Sequence, residues 1–424
     1  MTTANVESDG VEFNPFDAEV MACPYPHLSH LRAQAPVVWS SVANAFVVTS
    51  HELLVEVLRQ PKLFSSQFGR AGRQVPAEWQ EQIDEVIAEG YPRVSVLLTS
   101  DPPAHTRYRR MVSKAFAPPS IARYEPAIRA IAERLVDGWA DGETVDFVER
   151  FSVPLPVEVI AHVMNVPEAH LGMFKEWSDA TASAIGTDIT LDGLLASERS
   201  INEFQRYFAD QLEQRRSEPQ DDLLSHLLSE EIDDEDGEVV DRRPLDMAEM
   251  LRILQMILVA GNETTTALLG DMMRILGRRP EEWQRMRADP ARIPVVVEEA
   301  LRLASPNGGI WRIAATDVEL GGVHIPAGSR LIITFMSANR DEAVFGHDAA
   351  EFRPGRDRIG QHLAFGLGPH FCLGAALSRL ETRVAMEVLT RRIASFTLVG
   401  DGDGYLPSYF LRVPDQVAIR PHIP

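Results

Sequence analysis

The stretch that decides the fold reads Phe365-Gly366-Leu367-Gly368-Pro369-His370-Phe371-Cys372-Leu373-Gly374. It holds one of only two cysteines in 424 residues. A helical pattern begins just after it and runs from Leu373 through Glu381 to Arg392. A thiolate at a helix N-terminus is stabilised by the helix dipole and by free backbone N–H groups. Gly366, Gly368 and Gly374 let the backbone approach a flat group and turn its amides toward the sulfur. A cysteine held this way can be the axial ligand of a haem iron. The competing reading is a small buried hydrophobe.

Working outward, 45% of the residues are hydrophobic, ample for a large core. Length alone suggests two or three domains. The absence of a Pro/Gly/Ser linker and of internal repeats favours one domain over residues 1–424. Cys23 and Cys372 make no disulfide framework, which fits a reducing, cytoplasmic setting. The first residues are polar and acidic, without the basic and apolar regions of a signal peptide. No run of about 20 apolar residues could anchor the chain in a membrane. The net charge of −21 argues against nucleic acid as a partner. Much of the acid falls in Glu230-Glu231-Ile232-Asp233-Asp234-Glu235-Asp236-Gly237-Glu238, which reads as a solvated loop.

Two short β patterns come early, Val37-Val38-Trp39 and Ala45-Phe46-Val47-Val48-Thr49, with Asn44 in the turn between them. Helical periodicity dominates to about residue 305. A second β-rich patch spans residues 318–333 around a Gly321-Gly322 turn, and weak alternation returns over residues 405–423. The pattern is mainly α with small peripheral β-sheets. The clearest helix runs from a capping box, Asp246 with Glu249, to about Arg278, and Pro280 ends it. It is apolar nearly all round and should be buried. Ala260-Gly261-Asn262-Glu263-Thr264-Thr265-Thr266 interrupts it, and buried polar groups there are costly without partners. Sequences break such rules mainly at functional sites. The alternative is a Thr-rich turn whose hydroxyls bond back to the carbonyls four residues earlier.

The cysteine stretch fits F-x-x-G-x-x-x-C-x-G and resembles the haem-binding loop of the cytochrome P450 superfamily. The helix interruption is similar to that family's A-G-x-[DE]-T-[ST] motif. Glu299-Ala300-Leu301-Arg302 and Phe352-Arg353-Pro354-Gly355-Arg356 resemble its E-x-x-R and F-x-P-x-R segments. The resemblance runs in order along nearly the whole chain, residues 1–60 excepted. Departures are small: Glu342 stands where Pro is usual, and Asn262-Glu263 where many relatives carry His or Leu and Asp.

The resemblance implies the P450 fold, with a long central helix over haem b and a cysteine loop beneath it, in a soluble, bacterial-type member. It implies Cys372 as iron ligand, and His105, Arg109, Arg312 and His370 as cations for the haem propionates. Ala260, Gly261, Phe365 and Gly366 would line the cofactor. Thr264 would donate a hydrogen bond during oxygen activation and Glu263 would relay protons. Glu299, Arg302 and Arg356 would form a buried structural lock. The small Ala260 and Gly261 would leave room for a ligand. Substrate would meet Met256, Val259, Ala260, Asn307, Gly308, Gly309, Ile310, Tyr409 and Phe410, with further contacts in residues 64–98 and 177–195.

The activity implied is haem-thiolate monooxygenation, hydroxylating or epoxidising a hydrophobic small molecule. The apolar contacts favour a terpenoid or steroid-like substrate; Arg70 and Arg73 could instead anchor a fatty acid. A peroxide-driven haem-thiolate enzyme would not need Glu263-Thr264, and a haem sensor or carrier would need no proton relay. With no flavin or iron–sulfur segment in the chain, electrons should come from NAD(P)H through a reductase and a ferredoxin-type donor. Arg107, Arg110, Lys114, Arg379 and Arg383 could steer an acidic ferredoxin. The protein is expected to be monomeric.

Overall fold

The structure, a computed structural model, describes residues 12–68, 76–183, 190–229, 241–400 and 404–424. Arg70, Arg73 and the acidic run at 230–238 lie outside them. The chain divides into two compact units.

The first unit draws on Met1–Phe68, Val295–Cys372 and Asp403–Asp415. Its centre is a five-stranded sheet in the order Val37–Ser40, Ala45–Val48, Arg330–Ile333, Ile310–Ala314 and Phe64–Ser65. The expected hairpin forms: Val37 pairs with Val48, and Asn44 takes the left-handed conformation the turn needs (φ 48°). Ala45–Val48 then pairs in parallel with Arg330–Ile333, nearly three hundred residues later. Phe46, Val48, Leu54, Phe64, Leu331, Ile333 and Phe335 close one core over this sheet. Burying each such side chain stabilises the unit by about 1.5–3 kcal/mol. Val318–Leu320 and Val323–Ile325 form a separate hairpin around the Gly321-Gly322 turn.

The second unit draws on Gly69–Pro294, Leu373–Gly402 and Gln416–Pro424. It is built on the central helix Met247–Gly277, 31 residues or about 46 Å long. The capping box is present: Asp246 accepts from the Glu249 amide and Glu249 accepts from the Asp246 amide, each at 2.9 Å. Leu251, Leu254, Leu258, Leu268, Leu269 and Met272 are fully buried, as an apolar surface all round requires. The helices Pro154–Val163, Leu171–Ser183 and Ala375–Arg392 pack against it. A three-stranded sheet, Val145–Asp146, Ala418–His422 and Ser395–Leu398, completes the unit.

The two-residue strands at 64–65 and 145–146 were not anticipated, nor were the strands at 310–314 and 395–398. None of them shows enough alternation of its own. Pairing with distant strands makes them.

Candidate active site

In the first unit the cysteine loop is shaped by its glycines and by what it packs on. Gly366 and Gly368 both have positive φ (67° and 72°). A Cβ on Gly368 would also lie 2.5 Å from the Leu58 carbonyl oxygen, so only glycine lets the loop sit on the helix His51–Arg59. The Cys372 amide donates to the Phe365 carbonyl at 2.8 Å, closing the loop. His370 is held from the side: its Nε2 lies 3.0 Å from Oγ of the buried Ser66. Ser66 follows the strand Phe64–Ser65, whose neighbour Ile310–Ala314 carries Arg312. Phe365, Gly366, His370 and Cys372 thus share one loop. Ser66 carries no motif and was not singled out from the sequence.

The chain leading into that loop is fixed by Glu299. Its carboxylate accepts from Arg302 at 2.7 and 2.9 Å, from Arg356 at 3.3 Å and from the Arg353 amide at 2.8 Å. The remaining guanidinium donors reach carbonyls of Asn339, Phe345, Asp348, Ala349 and Glu351. Asn339 in turn accepts from the Leu363 amide at 2.6 Å.

Gly308 and Gly309 are buried for packing. A Cβ would meet the Tyr409 carbonyl oxygen at 2.7 Å and the Ile333 carbonyl oxygen at 2.8 Å, respectively. The missing bulk is occupied by neighbouring backbone. Tyr409 is 1% exposed, with its hydroxyl 3.3 Å from Thr334, so it faces the core of the unit. Asn307, Ile310 and Phe410 remain partly exposed.

In the second unit the central helix is buried on all sides but one. Met256, Val259, Gly261, Glu263 and Thr264 are partly exposed and Ala260 is exposed. Met256, Val259, Ala260, Glu263 and Thr264 fall at i, i+3, i+4, i+7 and i+8, a single open stripe. Gly261 turns elsewhere. Its missing side chain admits the tip of Ile160, 2.7 Å from where a Cβ would sit, so its smallness serves helix packing. The polar break is satisfied in part, with the Asn262 side-chain oxygen left unpartnered among the described residues. The Asn262 amide donates to Ser178 (2.8 Å) and Thr266 to the Ser152 carbonyl (2.9 Å). Thr264 donates back to the Ala260 carbonyl (2.8 Å), the bond expected of a Thr-rich helical turn. Glu263 has no hydrogen-bond partner among the described residues. Burial pushes its carboxyl pKa up, and Asp179 adds to that against Lys175.

His105 is buried and Arg109 partly exposed, one turn apart on the helix Ala104–Ser113. Two cations expected to steer a donor are occupied inside the unit. Arg107 is 3% exposed and bound to Glu249 at 3.0 Å. Arg383 bridges Glu125 and Glu387, both at 2.6 Å, in a network with Arg129. Spacing along a helix cannot tell a solvated arginine from a paired one. Arg110, Lys114 and Arg379 keep partial or full exposure.

Comparison with known proteins supplies the frame. The "Cytochrome P450" family model matches residues 195–398. Erythromycin C-12 hydroxylase of Saccharopolyspora erythraea is 35% identical over 89% of this chain and 88% of that protein. The chain belongs to the cytochrome P450 family. Cytochrome P450 CYP109Q5 from Chondromyces apiculatus superposes with a TM-score of 0.85, at 35% identity over 97% of this chain and 99% of that one. CYP109E1 from Bacillus megaterium, solved with corticosterone, gives 0.80 at 30% identity over 96% and 100%.

The fold is therefore the P450 fold, mainly helical with small sheets, and the chain is a P450 monooxygenase with haem b as cofactor. Electrons reach bacterial P450s through redox partners. No helix among the described residues is long and apolar enough to cross a membrane. The residues present fit a porphyrin. Cys372, a free thiol in the glycine-shaped loop just before the helix Ala375–Arg392, can offer one sulfur donor. Iron held by one protein ligand needs the remaining equatorial donors from a macrocycle. A Cβ on Gly374 would meet nothing within 4 Å, leaving the loop's end open to a flat group.

Proposed function

We propose that Cys372 holds the haem iron as thiolate, that His105, Arg109, Arg312 and His370 pair with the propionates, and that Ala260, Gly261, Phe365 and Gly366 border the ring. The observation that carries this reading is the glycine-shaped loop that presents the chain's lone motif thiol just before a helix. Haem supplies the oxygen chemistry; the chain supplies ligand, protons and pocket.

Thr264 holds a proton-donating hydroxyl on the open stripe of the central helix. While it bonds to the Ala260 carbonyl it is oriented but not released, so donation elsewhere requires a swing about χ1. Glu263, one residue earlier, is kept protonated to higher pH by burial and can hand a proton on. Met256, Val259 and Ala260 on the central helix, and Asn307, Gly308, Gly309, Ile310, Tyr409 and Phe410, are the candidate substrate contacts, most of them apolar. This suits a hydroxylation or epoxidation substrate that is terpenoid or steroid-like, as the corticosterone complex of CYP109E1 supports, with fatty acids as the competing class. The donor is a ferredoxin with its NAD(P)H-dependent reductase. The enzyme works as a cytoplasmic monomer of one haem domain and binds no nucleic acid.

Cys372→His is expected to abolish the red-shifted ferrous–CO band that thiolate ligation produces; an unchanged band removes Cys372 as ligand. Thr264→Ala should keep haem and NADH consumption while product falls and peroxide rises. Equal coupling removes Thr264 from the mechanism. Product formed as well from peroxide alone would favour the peroxide-driven reading. Displacement of the iron's water by steroids and terpenoids, and not by fatty acids, checks the substrate class.

A further inference from the structure

The helix Ala104–Ser113 carries His105 and Arg109 on one face, yet it is only ten residues long and has no side-chain N-cap. Something else must fix its rotation. At 100° per residue Arg107 lies on the opposite face and Tyr108 on the flank. Both reach the same group. Arg107 donates to Glu249 at 3.0 and 3.4 Å, and the Tyr108 hydroxyl donates to Glu249 at 3.0 Å. Arg107 also donates to the Arg243 and Pro244 carbonyls, at 2.9 and 3.1 Å. Arg243 closes the other side of the carboxylate at 2.7 and 2.8 Å. Glu249 itself belongs to the first turn of the central helix, where it completes the capping box. One carboxylate therefore joins the helix bearing the cation pair to the helix bearing Ala260, Glu263 and Thr264.

We propose that Glu249 is a positioning residue for the haem: by clamping Arg107 and Tyr108 to the central helix, it sets the rotation at which His105 and Arg109 meet the propionates. The inference rests on the reading of those two cations given above. It reaches beyond the family motifs, because Glu249 lies 142 residues from Arg107 and bonds to Arg107 and Tyr108, which sit opposite and to the flank of the cation pair on their helix.

The test uses the full-length, haem-loaded protein and Glu249→Gln, which keeps the size and the amide-accepting oxygen. Three quantities are read: the ferric–ferrous midpoint potential, the rate of haem transfer to apomyoglobin, and the ferrous–CO band. With the propionates less well paired, their negative charge favours ferric haem. The midpoint potential should fall and haem loss should quicken about tenfold, at the level of an orienting partner. The CO band should stay thiolate-type. A charge acting only through space predicts the opposite sign, because removing a nearby carboxylate raises the potential. A role confined to holding the fold predicts a lower melting temperature with an unmoved potential. Either result overturns the proposal. Tyr108→Phe removes one donor and leaves the Arg107–Glu249 pair; it should shift the potential the same way by less, and it carries the test if Glu249→Gln does not fold. A parent protein lacking the thiolate-type band would instead overturn the haem-site reading itself.

Discussion

Glu299 in the first unit and Glu249 in the second are each gripped by two arginines, and these two locks meet water very differently. In the first unit the side chains of Glu299, Arg302 and Arg356 are all 0% exposed. In the second, Glu249 and Arg107 are 3% exposed but Arg243 is 49% exposed. The segments they hold differ too. The Glu299 arginines spend their spare donors on carbonyls between residues 339 and 351, a stretch with little regular structure to satisfy them, and Arg356 also pairs with the Asp348 carboxylate, 21% exposed. The Glu249 lock joins two helices that already satisfy most of their own backbone. Charges taken wholly out of water must have every donor and acceptor used, so the first lock is all-or-none. The second keeps one cation that solvent can replace.

Glu299→Gln gives the largest expected effect. It strands the buried Arg302 guanidinium and leaves Arg356 with Asp348 as its only carboxylate among the described residues, and breaking such a buried pair costs about 3–5 kcal/mol. Denaturant unfolding should show that loss, with less haem incorporated. A cost under about 1 kcal/mol would mean that water enters the lock and that the contrast between the units is false.

Glu381 sharpens the contrast from the other side. It is a carboxyl on the helix Ala375–Arg392, 1% exposed, with one oxygen unpartnered. Among the described residues no arginine grips it, and burial drives its pKa well above the ordinary carboxylate range. The folded state therefore holds this proton more tightly than the unfolded state. Its contribution to stability is full below the unfolded carboxyl value of about 4.3 and is lost as pH rises toward and through the folded value. Glu381→Gln should stabilise the protein at neutral pH, by about 1–3 kcal/mol as for other relieved buried polar groups. The gain should shrink toward pH 4. Melting curves from pH 4.5 to 8.5 check it; a gain independent of pH would mean that Glu381 is already partnered.

What could be read in advance follows from how local each feature is. The capping box at Asp246, the turn at Asn44 and the helix after Cys372 depend on residues a few positions apart, and all appear where expected. The sequence motifs for Glu299, Arg302 and Arg356 were legible because family resemblance encodes a contact of 57 residues' separation. The Glu249 cluster has no such signature: nothing near Arg107 in the sequence says that its partner is 142 residues away. In the same way, nothing near Arg383 in the sequence says that it pairs with Glu125, 258 residues away. Glycines are ambiguous for a different reason. Gly261 reads as room for a ligand and Gly308 and Gly309 as substrate contacts, but in a sequence an absent side chain looks the same whether its space is left to a ligand or, as at these three, meets Ile160 or a neighbouring carbonyl.

The smallest effect expected is at the solvent-facing arm of the second lock. Arg243→Gln removes a half-exposed guanidinium from Glu249 but leaves Arg107, Tyr108 and the Asp246 amide in place. Burial pushes the Glu249 carboxyl up. The hydrogen bonds from Arg243, Arg107, the Asp246 amide and Tyr108 outweigh it and hold the pKa at about 2. Because the folded value lies below the unfolded one, this group's stabilisation is present above about pH 4.3 and is lost as pH falls through the folded value. Losing one donor should raise that folded value and move acid unfolding to slightly higher pH. At neutral pH the cost should be about 0.2–1 kcal/mol, as for exposed ion pairs. High salt should erase much of it, since screening acts over about 8 Å at physiological ionic strength. Arg107→Gln, made alongside, should cost several times more and stay insensitive to salt. Equal, salt-independent costs for the two would show that Arg243 is as integral as Arg107, and that both units carry the same kind of lock.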